Sequence, residues 1–408
     1  MTGLVLIPVS YREDKNIGMR YFIIAGEASG DAHASRLMSA LKREDAEASF
    51  MFLGGDRMAA EGGVMVRHYR DMAFMGIVNV LLNAGKVMEN IRLCRKAIEG
   101  FRPDAVILVD YPGFNLRMAR WVKKRMPGTA VYYYIAPKLW AWKSWRIGTI
   151  RRYVDRMFTI FPFETEYFSR KGYEVTYVGN PTADAVGRFI AQYHEGEFRR
   201  RHGLGERPIV ALLPGSRRQE IKGCLRKMLR MAEEFPDRTF VIAGAPGVER
   251  GFYTAIAGDG ITVVTGETYA LLRTAEAAIV NSGTASLETA LLDCPQVVVY
   301  HVFGGVLASL LQKVLIKIPY VSLVNINLGR FAVRELIAGD FTEENVRREM
   351  CALLHDEDYT VRMRRDYAEL RRLLGGEGAA ERCAGEIYRS LSAIKNGKDA
   401  TSARQSAS

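Results

Sequence analysis

Three glycine-bearing turns, each directly after an apolar run of strand length, carry the residues of this chain best suited to a charged ligand. In the first, YFIIAGEASGD over 21–31, the run ends in Gly26, Glu27, Ser29, Gly30 and Asp31. Glycines there admit backbone conformations or close approaches that a Cβ would obstruct. The spacing is not the G-x-G-x-x-G of a dinucleotide fingerprint, so the turn reads as a substrate contact. In the second, LLPGSRRQE over 212–220, amides around Gly215 and Ser216 could receive phosphate oxygens while Arg217 or Arg218 neutralises them with a planar fork of donors. In the third, NSGTASLETALL from Asn281, residues Ser282, Gly283 and Thr284 open a helix. The unpaired N–H groups and positive dipole end of such a helix can hold a diphosphate without a metal. Glu288, one turn on and on the face of Thr284, is placed to accept hydrogen bonds from a ribose. Ordinary strand-to-helix turns, solvated arginines and surface acids would give the same local text, so no single turn decides the matter.

The elements that must position these turns follow from apolar periodicity. Runs of strand length alternate with helical patterns from Tyr21 onward, the rhythm of parallel α/β units. One series contains Tyr21 to Ala25, Ala105 to Val109 and Val131 to Ile135. A second contains Ile209 to Leu213, Phe240 to Ala243, Ala278 to Val280 and Gln296 to Tyr300. Each series predicts its own doubly wound sheet, with ligands beyond the carboxyl ends of the strands and a cleft between the domains. Residues 1–18 read as a loose extension, because Met19 stands just before the first strand. The expected domains are 19–183 and 184–357, followed by a helical segment over 358–392 and a polar, disordered tail over 393–408.

Composition narrows the class. At 408 residues two domains are the default, and 48% apolar with 25% charged residues excludes disorder and fibrous repeats. No apolar run reaches the length of a membrane span. The opening LVLIPV lacks a basic leader and a cleavage site, so it makes a poor secretion signal. Cys94, Cys224, Cys294, Cys351 and Cys383 are scattered without metal or redox spacing, which favours a reducing cytoplasm. The net charge of +11 favours anionic partners. With no zinc finger, helix-turn-helix or RNA-binding aromatic motif, nucleic acid is excluded as a partner.

The second and third turns together resemble the nucleotide-binding half of a GT-B glycosyltransferase, which has two Rossmann-like domains. The full motif series is similar, in order, to that of the lipid-A-disaccharide synthase family: AGEASGD (25–31), MGIVNVL (75–81), PDAVILVDYPGFN (103–115), APKLWAW (136–142), LLPGSRRQE (212–220), SGTASLE (282–288) and YVSLVNI (320–326). It covers about residues 20 to 390. The resemblance implies a C-terminal helix crossing back toward the first domain. It further implies an inverting transfer of 2,3-diacylglucosamine from UDP to the 6-hydroxyl of 2,3-diacylglucosamine 1-phosphate. By position it assigns Gly215, Ser216, Arg217, Ser282, Gly283, Thr284 and Glu288 to the donor, with Asn325 near the sugar or diphosphate. Glu27, Ser29, Gly30 and Asp31 would line the facing wall. The chain departs from the family pattern at Asn79, Gly113 and Ala338.

Inversion needs a base for the acceptor hydroxyl, and Asp110, at the end of AVILV, is the expected one, with Asn115 orienting it or the acceptor. Glu27 is the second candidate. The D-x-D at Asp356 to Asp358 lies in a polar segment rather than after a strand, so no metal or other cofactor is expected. Trp140, Trp142 and Trp145, mixed with Lys138, Lys143 and Arg146, suit a sugar phosphate or a headgroup. Acylated substrates point to an apolar contact at Met75, Ile77, Val78, Val80, Leu81 and Leu82. Leu307, Leu310, Leu311, Val314 and Leu315 form a second apolar segment at helical spacing. The resulting expectation is a cytoplasmic protein, peripheral on the anionic inner-membrane surface, and a homodimer is compatible with it. A UDP-sugar 2-epimerase of similar architecture and a non-catalytic nucleotide- or lipid-binding module are the competing readings.

Overall fold

The structure is a computed structural model that describes residues 18–72, 84–141, 144–194, 196–258, 260–301 and 319–406. The expected acyl contact at 75–82, the apolar segment at 307–315, Trp142, Lys143 and residues 1–17 lie outside the described residues. The chain divides into two compact units, residues 1–181 with 378–408, and residues 182–377.

The first unit begins β1 (Arg20–Ala25), α1 (Ala28–Glu44), β2 (Ser49–Gly54), α2 (Asp56–Ala60) and β3 (Val64–His68). It continues with α3 (Ala84–Phe101), β4 (Ala105–Val109), α4 (Pro112–Arg125) and β5 (Ala130–Tyr134). Then come α5 (Ile147–Tyr153), β6 (Arg156–Thr159), α6 (Pro162–Ser169) and β7 (Thr176–Tyr177). These strands form one sheet in the order β3-β2-β1-β4-β5-β6-β7, and every pairing is parallel. Burial on both faces explains why β4 reads AVILV without alternation: all five residues are buried.

In the second half, α7 (Pro181–Gln192) and α8 (Glu197–His202) precede β8 (Ile209–Leu213), α9 (Arg218–Glu234) and β9 (Thr239–Gly244). Next are α10 (Arg250–Ala257), β10 (Thr262–Thr265), α11 (Thr268–Thr274), β11 (Ala277–Asn281) and α12 (Thr284–Leu291). The series ends with β12 (Gln296–Tyr300), α13 (Leu323–Leu328), β13 (Arg334–Ile337), α14 (Glu343–His355) and α15 (Glu357–Leu374). Its sheet is also parallel, in the order β10-β9-β8-β11-β12-β13. Both sheets are therefore doubly wound, as the strand spacing predicts.

The C-terminal segment differs from expectation in two ways. The helix α15 belongs to the second unit, where buried Tyr367 sits within hydrogen-bond distance of the Gln296 amide. The last helix, α16 (Ala379–Ser406), belongs to the first unit and extends to Ser406, inside the segment expected to be a disordered tail. Ser390 Oγ receives the Tyr132 hydroxyl at 2.8 Å, and Arg156 pairs with Glu386 at 2.7 Å. Those contacts fasten the chain's end to β5 and β6, elements more than two hundred residues earlier.

Candidate functional site

Strand order decides where a ligand can sit. In each sheet the sequence runs outward one way through three strands, then returns to the centre and runs the other way. The crevice at that reversal lies beyond the carboxyl ends of the two central strands. In the first unit these are β1 and β4, whose register pairs Ala25 with Val109. The turn after β1 carries Glu27 and the turn after β4 carries Asp110. In the second unit they are β8 and β11, followed by the PGSRR turn and by Ser282 to Thr284.

The two turns of the first unit are built against each other. A Cβ on Gly26 would stand 2.3 Å from the Tyr111 ring, so only glycine lets that ring lie over the end of β1. Tyr111 Oη donates to the Met72 carbonyl at 3.1 Å. Asp110 and Tyr111 both occupy the left-handed region, with φ of 44° and 45°. Two consecutive non-glycine residues there cost on the order of 1–3 kcal/mol each and persist only where surroundings enforce them. The enforcing contacts are visible: the Asp110 carbonyl accepts from Tyr133 Oη at 2.5 Å and from Asn115 Nδ2 at 2.7 Å. Asn115, fully buried, also donates to the Val109 carbonyl at 3.2 Å. Asn115 thus holds the backbone of the turn. Burial pushes the Asp110 carboxyl above the usual range, while the Lys138 ammonium and the Tyr111 amide pull it partly back.

Other first-unit candidates have different work. Asp31 is 3% exposed and its carboxylate accepts from the amides of Gly55 (2.7 Å), Arg57 (3.1 Å) and Met58 (3.2 Å). It closes the start of α2, a function of the fold rather than of a ligand. Gly30 is buried against Ala25, whereas Ser29 is exposed on the first turn of α1. Glu27 is the residue before α1 with an extended backbone, and its charge helps raise the Tyr111 hydroxyl after burial has done most of that. Trp140 packs edge-on against Phe163 at 5.2 Å and donates to the buried Glu164, so it is part of the scaffold. Trp145 is 71% exposed with the Arg146 guanidinium over its ring.

In the second unit the PGSRR turn is already occupied by an internal anion. Gly215 has φ of 119°, and a Cβ there would meet Asn281 Nδ2 and Glu220 at 2.8 Å. Glu220 accepts from the Ser216 amide (3.1 Å), the Arg217 amide (3.3 Å) and the Arg217 guanidinium (3.2 Å). The amides expected to be open to phosphate are therefore capped by a carboxylate from α9. Arg218 instead stacks over Phe252 at 5.1 Å. The start of α12 is different: Gly283 and Thr284 are exposed and nothing lies within 4 Å of a Cβ placed on Gly283. Ser282 Oγ donates to the Val321 carbonyl at 3.3 Å. Glu288 receives the Tyr269 hydroxyl at 2.9 Å, and burial raises its carboxyl despite that bond.

Asn325 is fully buried, and all its hydrogen-bonding capacity is used inside the protein. Its Nδ2 donates to the Val333 carbonyl (2.9 Å) and Glu335 (2.8 Å), and its Oδ1 accepts from the amides of Ala332 (2.8 Å) and Val333 (3.0 Å). That corrects the expectation of a sugar or diphosphate contact: its amide shapes the loop before β13. Sequence reasoning missed Tyr133, Glu164, Tyr269 and Glu220. Of these Glu220 and Glu164 had a local signal, each standing three residues after the residue that caps its helix, α9 and α6.

Comparison with known proteins bears on family and architecture. A family model described as lipid-A-disaccharide synthetase matches residues 21–385. The lipid-A-disaccharide synthase of Myxococcus xanthus (strain DK1622) is 36% identical over 380 residues, covering 91% of this chain and 97% of that protein. Among solved structures, UDP-GlcNAc 2-epimerase from Neisseria meningitidis bound to UDP-GlcNAc superposes with a TM-score of 0.63 at 11% identity, covering 91% of this chain and 99% of that one. The glycotransferase of kitacinnamycin superposes with a TM-score of 0.57 at 14% identity, covering 91% and 99%. At such identities the structural likenesses establish the shared architecture alone.

Proposed function

Because the chain belongs to the lipid-A-disaccharide synthetase family and is a disaccharide-forming glycosyltransferase, we propose that it moves 2,3-diacylglucosamine from UDP to the 6-hydroxyl of 2,3-diacylglucosamine 1-phosphate. The products are a β-1,6 disaccharide and UDP. In this reading the acceptor oxygen attacks the anomeric carbon of the donor as the bond to the diphosphate breaks, and Asp110 takes the hydroxyl proton. The observation that carries the assignment of the base is the strained turn. A carboxylate at the switch point of a doubly wound sheet is held on two consecutive left-handed residues by Tyr133 and Asn115. Burial raises its carboxyl above that of an exposed aspartate, which makes the carboxylate a stronger base toward the hydroxyl proton.

The second unit holds the donor in this proposal. The exposed amides at the start of α12 and the Arg217 guanidinium meet the diphosphate, and Glu288, oriented by Tyr269, receives a ribose hydroxyl. Diphosphate entering the PGSRR turn takes the place of the Glu220 carboxylate on Arg217. Protein donors thus meet the leaving charge, and the chemistry assigned to these residues needs no metal.

No helix among the described residues is long and apolar enough to cross a membrane. Acylated substrates and a net charge of +11 support peripheral attachment to an anionic surface, with residues 75–82 as the apolar contact.

The test is Asp110→Asn. Disaccharide formation, followed by mass spectrometry with both lipid substrates, should fall by at least two orders of magnitude, while calorimetric binding of UDP stays near that of the wild type. Near-normal turnover would remove Asp110 from this role.

A further inference from the structure

The first unit holds a buried carboxyl that the proposed chemistry does not use. Glu164, on the first turn of α6, is 1% exposed. Its Oε2 accepts from the amides of Ile160 (3.3 Å) and Phe161 (3.2 Å), and its Oε1 accepts from Trp140 Nε1 (3.3 Å). The first two bonds cap α6. The third reaches across to the turn after β5, where the chain passes from Ile135, itself left-handed at φ 66°, through Pro137, Lys138 and Leu139. A second bond from α6 grips the same turn: Tyr167 Oη donates to the Leu139 carbonyl at 2.9 Å. Leu139 is buried and Lys138, immediately before the two gripped residues, is exposed. None of the ion pairs among the described residues includes Lys138. Its turn follows β5 and adjoins the Asp110 turn, since Val109 pairs with Tyr134 and the Asp110 amide donates to the Tyr134 carbonyl at 3.1 Å. The ammonium accordingly counters the burial that raises the carboxyls of Asp110 and Glu164.

We propose that Glu164 is a positioning residue that pins the Pro137–Ala141 turn through Trp140, and that this stations Lys138 beside Asp110 as the cation that receives the acceptor's phosphate. The inference rests on the transfer reading above, since it supposes an acceptor that presents a hydroxyl to Asp110 and a phosphate a sugar ring away. A lysine on a long flexible stem suits that task, because it meets phosphate as a point charge without demanding one approach. Contact with phosphate also has a consequence for the base. Once the ammonium is paired, its hold on Asp110 weakens, and the carboxylate accepts the hydroxyl proton more readily.

The experiment compares acceptor KM and kcat, with and without the 1-phosphate on the acceptor, for wild type, Lys138→Met, Glu164→Gln and the double variant. Lys138→Met should raise KM for the phosphorylated acceptor on the order of tenfold or more and leave KM for the dephosphorylated acceptor and for the UDP-sugar unchanged. In Glu164→Gln the new amide keeps its oxygen toward Ile160 and Phe161 and turns an NH2 toward the Trp140 N–H, a donor facing a donor. It should show the same selective loss, smaller in size. The double variant should be no worse than Lys138→Met alone, because both act through one cation. Equal losses on both acceptors, or additive losses in the double variant, would overturn the inference. Should Glu164→Gln fail to fold, Lys138→Met decides alone: an unchanged KM for the phosphorylated acceptor refutes the subsite while transfer by the wild type stands. Absence of any disaccharide from the wild type sinks the transfer reading itself, and this inference with it.

Discussion

Replacing Glu164 by glutamine should change how the stability of the first unit depends on pH, in a direction that follows from burial. In the folded protein burial raises this carboxyl from an ordinary 4.5 to about 7, against the opposing pull of Trp140, two backbone amides and Lys138. The unfolded chain releases the proton at its ordinary value. Between these two limits the folded state binds more protons than the unfolded state, so stability falls as pH rises. The contribution is fully present below pH 4.5 and gone above about 7. At about 1.4 kcal/mol per pH unit, the stability at stake is on the order of 3 kcal/mol. Glutamine has no proton to lose, so the variant should lack this decline, whatever constant offset its altered bond to Trp140 introduces. All four tryptophans, Trp121, Trp140, Trp142 and Trp145, lie in the first unit. Urea unfolding followed by tryptophan fluorescence therefore reports that unit selectively. Midpoints measured between pH 5 and pH 8 should fall more steeply for wild type than for Glu164→Gln. Parallel profiles would refute the linkage and with it the raised carboxyl of Glu164.

Three further outcomes follow from individual contacts. Asp31→Ala strips the acceptor from three amides at the start of α2 and should destabilise the first unit by about 3 kcal/mol, read by the same fluorescence titration, without altering UDP affinity. Gly26→Ala places a methyl group 2.3 Å from the Tyr111 ring, so it should displace the Asp110 turn and cut turnover at least tenfold while UDP binding in the second unit persists; an unchanged kcat would show that the turn tolerates the shift. Replacing Ile77, Val80 and Leu81 together by serine should release the protein from vesicles containing anionic lipid in a flotation assay, and undiminished binding would place the membrane contact elsewhere.

Much of the fold was legible because parallel strands buried on both faces appear as unbroken apolar runs, and the central strands of both sheets are of this kind. The ends of those runs pointed to Asp110, Glu27 and the SGT turn, because polar residues that immediately follow a buried strand have few other places to be. The assignment of Asn325 had a different origin, a resemblance of motifs, and its hydrogen bonds lead back into its own loop. Asp31 and Glu220 show the same limit. A carboxylate beside a glycine turn looks identical in sequence whether it faces a ligand or caps a helix.

What the sequence by itself determined, then, is the set of turns at the carboxyl ends of the strands and the family to which their order belongs. Tertiary structure decided which of their polar groups remain available. Asp31 takes its amides from residues 24 to 27 positions away, and Glu164 and Trp140 meet across 24 residues. Strand order was equally out of reach of periodicity, and it alone puts the Asp110 turn and the SGT turn at the switch points of their sheets. The physical reason is the same in each case. Burial of apolar side chains is a local, periodic property, whereas the satisfaction of a buried polar group depends on a partner that only the folded chain brings within 3 Å or so.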